Sequence, residues 1–105
     1  MLLDEYQLNQ VFKAFLQEYA LARAINPHPI FESHKGGVAL TKRLYMCLLD
    51  PKWEYLNHNG KIDCEELVKE ALPYLEKGIK IEGLNYWLSD KDIPILRKIC
   101  NKLFD

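Results

Sequence analysis

A polar stretch near the middle of the chain carries side chains that could bind a metal ion. It reads NHNGKIDCEE and runs from Asn57 to Glu66. Asn57 and Asn59 carry amide oxygens, and Asp63 and Glu66 carry carboxylate oxygens. Calcium prefers oxygen ligands in proteins. Gly60 stands where a loop that wraps an ion must turn sharply. Calcium binding is therefore the first possible function to consider for this stretch.

Residues 55–66 resemble the calcium loop of EF-hand proteins. Gly60 matches the turn position of that loop, Asp63 its ninth position and Glu66 the bidentate glutamate at its end. The leading aspartate of the family is Tyr55 here, and Pro51 interrupts the helix that should enter the loop. The alternative needs no metal: a turn precedes Asp63, which caps a helix with Glu66 as capping-box partner. We favour the second interpretation and expect no metal or other cofactor.

Other arrangements of reactive side chains are weaker. His28, His34, His58 and Cys64 have none of the compact spacings of a zinc site. Nucleophilic catalysis needs a nucleophile, a base and an orienting group, and no motif supplies them together. We therefore predict that the protein is not an enzyme.

The length and composition limit the possible folds and cellular locations of the protein. The 105 residues suit one domain, 1–105, and 49% of them are hydrophobic. The net charge of -1 gives no general attraction to nucleic acid or to anionic membranes. The longest apolar run is six residues, too short to span a bilayer, and the first residues lack the pattern of a signal peptide. We expect a soluble cytoplasmic protein.

Helical periodicity predicts an all-α bundle of four main helices plus a short helical turn. The predicted elements run from Asp4 to about Asn26, from Val38 to Leu49, over the short turn Pro51 to Leu56, from Asp63 to about Lys77, and from Ser89 to the last residues. Three of these helices begin with a capping box flanked by a hydrophobic staple. The boxes are Asp4 with Gln7, Asp63 with Glu66, and Ser89 with Asp92.

The connecting segments carry their own predictions. Residues 26–37 are rich in proline and glycine and predict a loop, with Lys35, Gly36 and Gly37 as a flexible hinge. Residues 79–88 predict an extended linker followed by a helical turn with Tyr86 and Trp87. Pro73 predicts a kink, and Gly78 the end of its helix.

The core is predicted around the most apolar helical faces. Leu44 and Leu48 stand in a segment that is apolar all round, which is usual for a central helix. Leu67 lies on the apolar face of the following helix. Cys47 and Cys100 suit small buried positions.

Acidic and aromatic residues give the sequence its predicted binding surface. Aromatic residues in connectors either cover the core or anchor an interface. Carboxylates on the polar face of the third helix would meet a cationic partner. The proposed partner-binding residues are Trp53, Tyr55, Glu65, Glu66, Glu70, Tyr86 and Trp87. The basic last helix, with Arg97, could instead form salt bridges to the acidic helix.

These features predict a small protein-binding module. Its size and acidic-aromatic surface resemble those of bacterial immunity proteins, which inhibit toxins, and this resemblance implies a cationic toxin as partner. A degenerate EF-hand-like calcium-responsive module built on residues 55–66 is the alternative.

Overall fold

Helices form most of the described chain, as the periodicity predicts. The computed structural model describes residues 1–27, 31–46, 51–71, 79–81 and 83–105. The helices are α1 (Glu5–Phe15), a π-helical segment (Leu16–Ala20), α2 (Leu21–Arg23), α3 (Ser33–Met46), a 3-10 helix (Pro51–Leu56), α4 (Cys64–Ala71), a 3-10 turn (Asp90–Asp92) and α5 (Ile93–Phe104). The strands are β1 (Leu2–Leu3), β2 (Ile62–Asp63), β3 (Ile79–Ile81) and β4 (Tyr86–Leu88). The predicted all-α bundle is confirmed, with short strand pairs added to it.

The start of α1 follows its sequence signal. The Asp4 carboxylate accepts a hydrogen bond from the Gln7 N–H at 2.8 Å, and the Asp4 N–H donates to the Gln7 side chain at 3.0 Å. Leu3 and Leu8, on either side of the cap, are both buried. The capping box satisfies backbone groups that a helix start leaves without partners, and its prediction is confirmed.

The first helix changes its winding at Leu16. There the α-helix passes into the π-helical segment, in which the Leu21 N–H donates to the Leu16 carbonyl, five residues back. Phe15 and Leu16 are neighbours in the chain, and both are fully buried. Beyond this wide turn the chain completes α2 and becomes extended at Ala24, slightly before the predicted end.

Helix α3 begins at Ser33, before the predicted start at Val38. The prediction of a flexible hinge at Gly36 and Gly37 is wrong, because both glycines lie within the helix. A Cβ atom on Gly37 would lie 2.9 Å from the backbone nitrogen of Lys13 in α1. The glycine therefore lets the two helix backbones approach closely, a need that the local sequence does not reveal.

The strands form two short antiparallel pairs, one between segments distant in sequence and one between neighbouring segments. β1 pairs with β2, with Leu3 opposite Ile62, so the first residues lie beside the start of α4. β3 pairs with β4, with Ile81 opposite Tyr86. The predicted helical turn at Tyr86 and Trp87 is wrong, because those residues form a strand of this hairpin.

The core lies between the helices and under the hairpin. Leu44 and Leu67 are buried as predicted, at 1% and 0% exposure. Helix α5 begins after the predicted signal, where the Ser89 N–H donates to Asp92 at 3.1 Å. The predictions for His28, Cys47, Leu48, Pro73, Lys77 and Gly78 lie outside the described residues. Among the described helices, none has the length and apolar character needed to cross a membrane.

Candidate binding surface

The possible metal loop forms a tight hairpin. The His58 N–H donates to the Lys61 carbonyl at 2.8 Å, and the Lys61 N–H donates back to the His58 carbonyl at 3.1 Å. Asn59 and Gly60 between them have positive φ angles, 55° and 85°. Asparagine followed by glycine suits this conformation in a two-residue hairpin turn. The predicted turn is confirmed.

Two of the oxygen-bearing side chains in this loop have partners within the chain. The Asn57 side-chain oxygen accepts from the Gly60 N–H at 2.8 Å. One Asp63 oxygen accepts from the Glu66 N–H at 3.0 Å, as expected of a helix cap, and the other binds the Met1 ammonium at 2.6 Å. In the parts of the chain that the structure describes, no three His, Cys, Asp or Glu residues are grouped so as to hold a metal ion.

Calcium at millimolar concentration is expected to leave the melting temperature unchanged, because Asn57 and Asp63 already stabilise the turn and the cap. A ligand present at 100 times its dissociation constant would add about 2.7 kcal/mol to the free energy of unfolding. Differential scanning fluorimetry with and without calcium measures this. A rise in melting temperature that disappears in Glu66→Gln would support the EF-hand interpretation instead.

Glu65 connects α4 to α5. Its carboxylate accepts hydrogen bonds from Arg97 through Nε, at 2.9 Å, and through Nη2, and its Oε1 lies 3.0 Å from the Lys69 ammonium. The hydrogen bond from Arg97, with that from Lys69, lowers the pKa of Glu65 to about 2. A salt bridge between the last helix and the acidic helix is thus present. The charge of Glu65 is balanced within the chain, and a partner contact by this residue remains a prediction.

The Glu65 bridge predicts a dependence of stability on pH. The carboxyl titrates at about 2 when folded and near 4.5 when unfolded, so its contribution is complete above pH 4.5 and lost as pH falls towards 2. Glu65→Gln should therefore show a shallower loss of stability over that range in urea titrations. Glu66→Gln, at an exposed neighbour on the same helix, is the control. Equal slopes in the two variants would contradict the bridge.

Tyr86 belongs to the core and not to an open surface. It is 7% exposed, its hydroxyl donates to the buried Asp92 carboxylate at 2.8 Å, and its ring meets that of Phe15 edge to face. Burial, together with the bond to Asp92, raises the pKa of Tyr86 to about 12. Trp87 points the other way, is 39% exposed and lies under the Lys80 ammonium. The interpretation that these aromatic residues cover the core fits Tyr86 and does not fit Trp87.

Trp53 and Tyr55 lie on the predicted short turn, which is the 3-10 helix Pro51–Leu56. Trp53 packs partly against the core, and the Lys52 ammonium lies 4.6 Å from the centre of its ring. Tyr55 is 57% exposed, whereas the next residue, Leu56, is buried. The short helix therefore holds one aromatic side chain near the core and presents another to solvent.

The predicted partner-binding residues thus lie on several separate helices and strands. Glu65 joins Arg97, and Tyr86 joins Asp92, while Glu66 is exposed and Glu70 is half-buried on α4. No local signal points to the contact between Tyr86 and Asp92, because the sequence predicts a helical turn at Tyr86 where the structure has a strand. No family model, curated protein or solved structure matches this chain.

Proposed function

We propose that this chain is a small non-enzymatic binding protein that recognises a cationic protein through Tyr55 and two carboxylates of α4, the exposed Glu66 and the half-buried Glu70. The observation that carries the proposal is the contrast between Tyr55, 57% exposed, and Leu56, 1% exposed. The buried leucine holds the short helix against the core, so the exposed tyrosine is presented from an ordered part of the chain. Tyrosine is among the residues most often found at the energetic centre of interfaces.

The charges around this segment favour a cationic partner. Residues 51–76 contain six acidic and three basic residues, a net charge of -3. Glu66 and Glu70 are one helical turn apart on α4, where like charges slightly destabilise an isolated helix. A positively charged partner removes that cost and is attracted before contact. Glu65 contributes less, since Arg97 and Lys69 already balance it.

Within this class we propose a toxin inhibitor of the bacterial immunity type. The small size of the chain and its acidic-aromatic segment support this proposal. Such a protein acts by covering a basic surface of the toxin, so it needs no catalytic group of its own. Trp53 and Trp87 are secondary candidates for contact with the toxin.

The experiment begins with affinity purification of partners from the native cell, followed by binding kinetics with the purified partner. Tyr55→Ala should speed dissociation, as expected for an interface anchor. Tyr6→Ala is the matched control, because Tyr6 is 70% exposed on a different element. Equal dissociation rates for these two variants would place the interface elsewhere, first around Trp87.

The charge contribution has a separate test. Glu66→Lys combined with Glu70→Lys should slow association, and the effect should shrink as salt is added, because exposed charges mainly steer the encounter. Circular dichroism checks that the double variant remains folded. Unchanged association at low salt would show that the carboxylates of α4 are only a solvated helix surface.

A further inference from the structure

Two thiols meet where α4 packs against α5. Cys64 is the first residue of α4, and Cys100 lies on the inner face of α5. Both are free cysteines, 2% and 7% exposed. Both side chains line the same cleft and lie close enough for each thiol to shift the pKa of the other, although 36 residues separate them in the sequence.

A cleft connects this thiol pair to solvent. Its volume is about 250 Å³, and both sulfur-bearing side chains line it. The Met1 ammonium and the Arg97 guanidinium stand at the same cleft, with Asp63 and Glu65 as their ion-pair partners. A small molecule can therefore reach thiols that the fold shields from larger ones.

The two thiols differ in reactivity. The hydrogen bond from Cys64 lowers the pKa of the Cys100 thiol, whereas that same bond and burial raise the pKa of Cys64. Because the thiolate is the nucleophile, the lower pKa of Cys100 and its greater exposure, 7% against 2% for Cys64, make Cys100 the thiol expected to react first. A thiol of lowered pKa that lines a cleft beside a second cysteine is an arrangement that favours reversible oxidation to a disulfide.

We propose that Cys64 and Cys100 form a modification site, a dithiol that a hydroperoxide oxidises to an intramolecular disulfide. The Cys100 thiolate attacks the outer oxygen of the peroxide, the O–O bond breaks, and a sulfenic acid forms with release of water or an alcohol. The Cys64 sulfur then attacks the sulfenic sulfur. The new S–S bond forms as the hydroxyl leaves with the Cys64 proton as water. Two thiols are oxidised and one peroxide is reduced.

The test uses the full chain with Cys47→Ser, which leaves Cys64 and Cys100 as its remaining thiols. Hydrogen peroxide is added, free thiols are blocked with a maleimide, and intact mass and peptide maps are recorded. The expected product is monomeric, lighter by two hydrogen atoms, unreactive to the maleimide and restored by dithiothreitol. A map linking Cys64 to Cys100 identifies the bond.

Single variants separate the two roles. With Cys64→Ser added, Cys100 should stop at the sulfenic acid, which dimedone traps. With Cys100→Ser added, oxidation of Cys64 should be slower by about tenfold or more, because the thiol that remains is almost fully buried, at 2% exposure. Thermal melts confirm that each variant is folded. Equal oxidation rates in the two variants, or sulfinic and intermolecular products without the internal disulfide, would overturn the proposal.

Discussion

Replacement of Leu67 by alanine is expected to lower the free energy of unfolding by about 2–5 kcal/mol. Leu67 is fully buried on α4, which packs against α3 and α5. Removing its branched side chain loses burial of apolar surface and leaves a cavity among helices that are held by other contacts. Leu44→Ala on α3, where the leucine is 1% exposed, is expected to fall in the same range.

Urea denaturation followed by circular dichroism measures both variants. Leu103→Ala is the matched control, because Leu103 lies on α5 but is 44% exposed. Its effect should be within about 0.5 kcal/mol, as is usual for surface substitutions. If Leu67→Ala and Leu44→Ala unfold at the same denaturant concentration as Leu103→Ala, the packing described for α3 and α4 is wrong.

Gly37→Ala is expected to destabilise the protein by about 1–3 kcal/mol, the usual cost of overpacking a close contact. In an ordinary helix the same change stabilises by about 1 kcal/mol, because alanine is the better helix former. The added methyl group would lie 2.9 Å from the Lys13 nitrogen and 3.2 Å from its Cα. Those atoms belong to the backbone of α1 and cannot rotate away, so the two helices must separate.

Ala39→Gly is the control for the direction of the stability change expected in Gly37→Ala. Ala39 is exposed on the same helix, two residues along, so its replacement reports the intrinsic preference for alanine alone. Thermal and urea unfolding should show that both variants are less stable than the parent, although the substitutions are opposite. A more stable Gly37→Ala would mean that α1 and α3 do not approach closely at this residue.

Local signals predicted the starts of α1 and α4 because the groups involved are close in sequence. Asp4 binds the Gln7 backbone three residues on, and Asp63 binds that of Glu66 in the same way. The hairpin turn at Asn59 and Gly60 depends on two adjacent residues. Such features are decided by short-range hydrogen bonds and backbone angles, which the sequence shows directly.

Long-range contacts account for the errors. Glycine normally disfavours a helix, yet Gly37 is helical because α1 lies against it. β3 and β4 are three residues long each and carry too few side chains for a clear alternating pattern. Their pairing depends on burial of Ile81 and Tyr86 against the core, which no local pattern predicts.

The candidate site was predictable only in its residue types. Carboxylates on α4 and aromatic residues in connectors could be found from the sequence, and so could the chance of a bridge to the basic last helix. The sequence could not show that Glu65 meets Arg97, that Tyr86 is buried, or that Cys64 meets Cys100. Each of those contacts joins residues through tertiary packing of separate elements.

The π-helical segment Leu16–Ala20 has a consequence for the length of this chain during evolution. Its hydrogen bond from Leu21 to Leu16 spans one residue more than an α-helical bond. Loss of one residue here, at exposed Gln17 or Glu18, would restore a plain α-helix and keep the buried residues on both sides in register. Loss of a residue within Glu5–Phe15 would instead rotate every following side chain by about 100°. Homologues that differ in length by one residue within the first helix should therefore carry the gap at Leu16–Ala20.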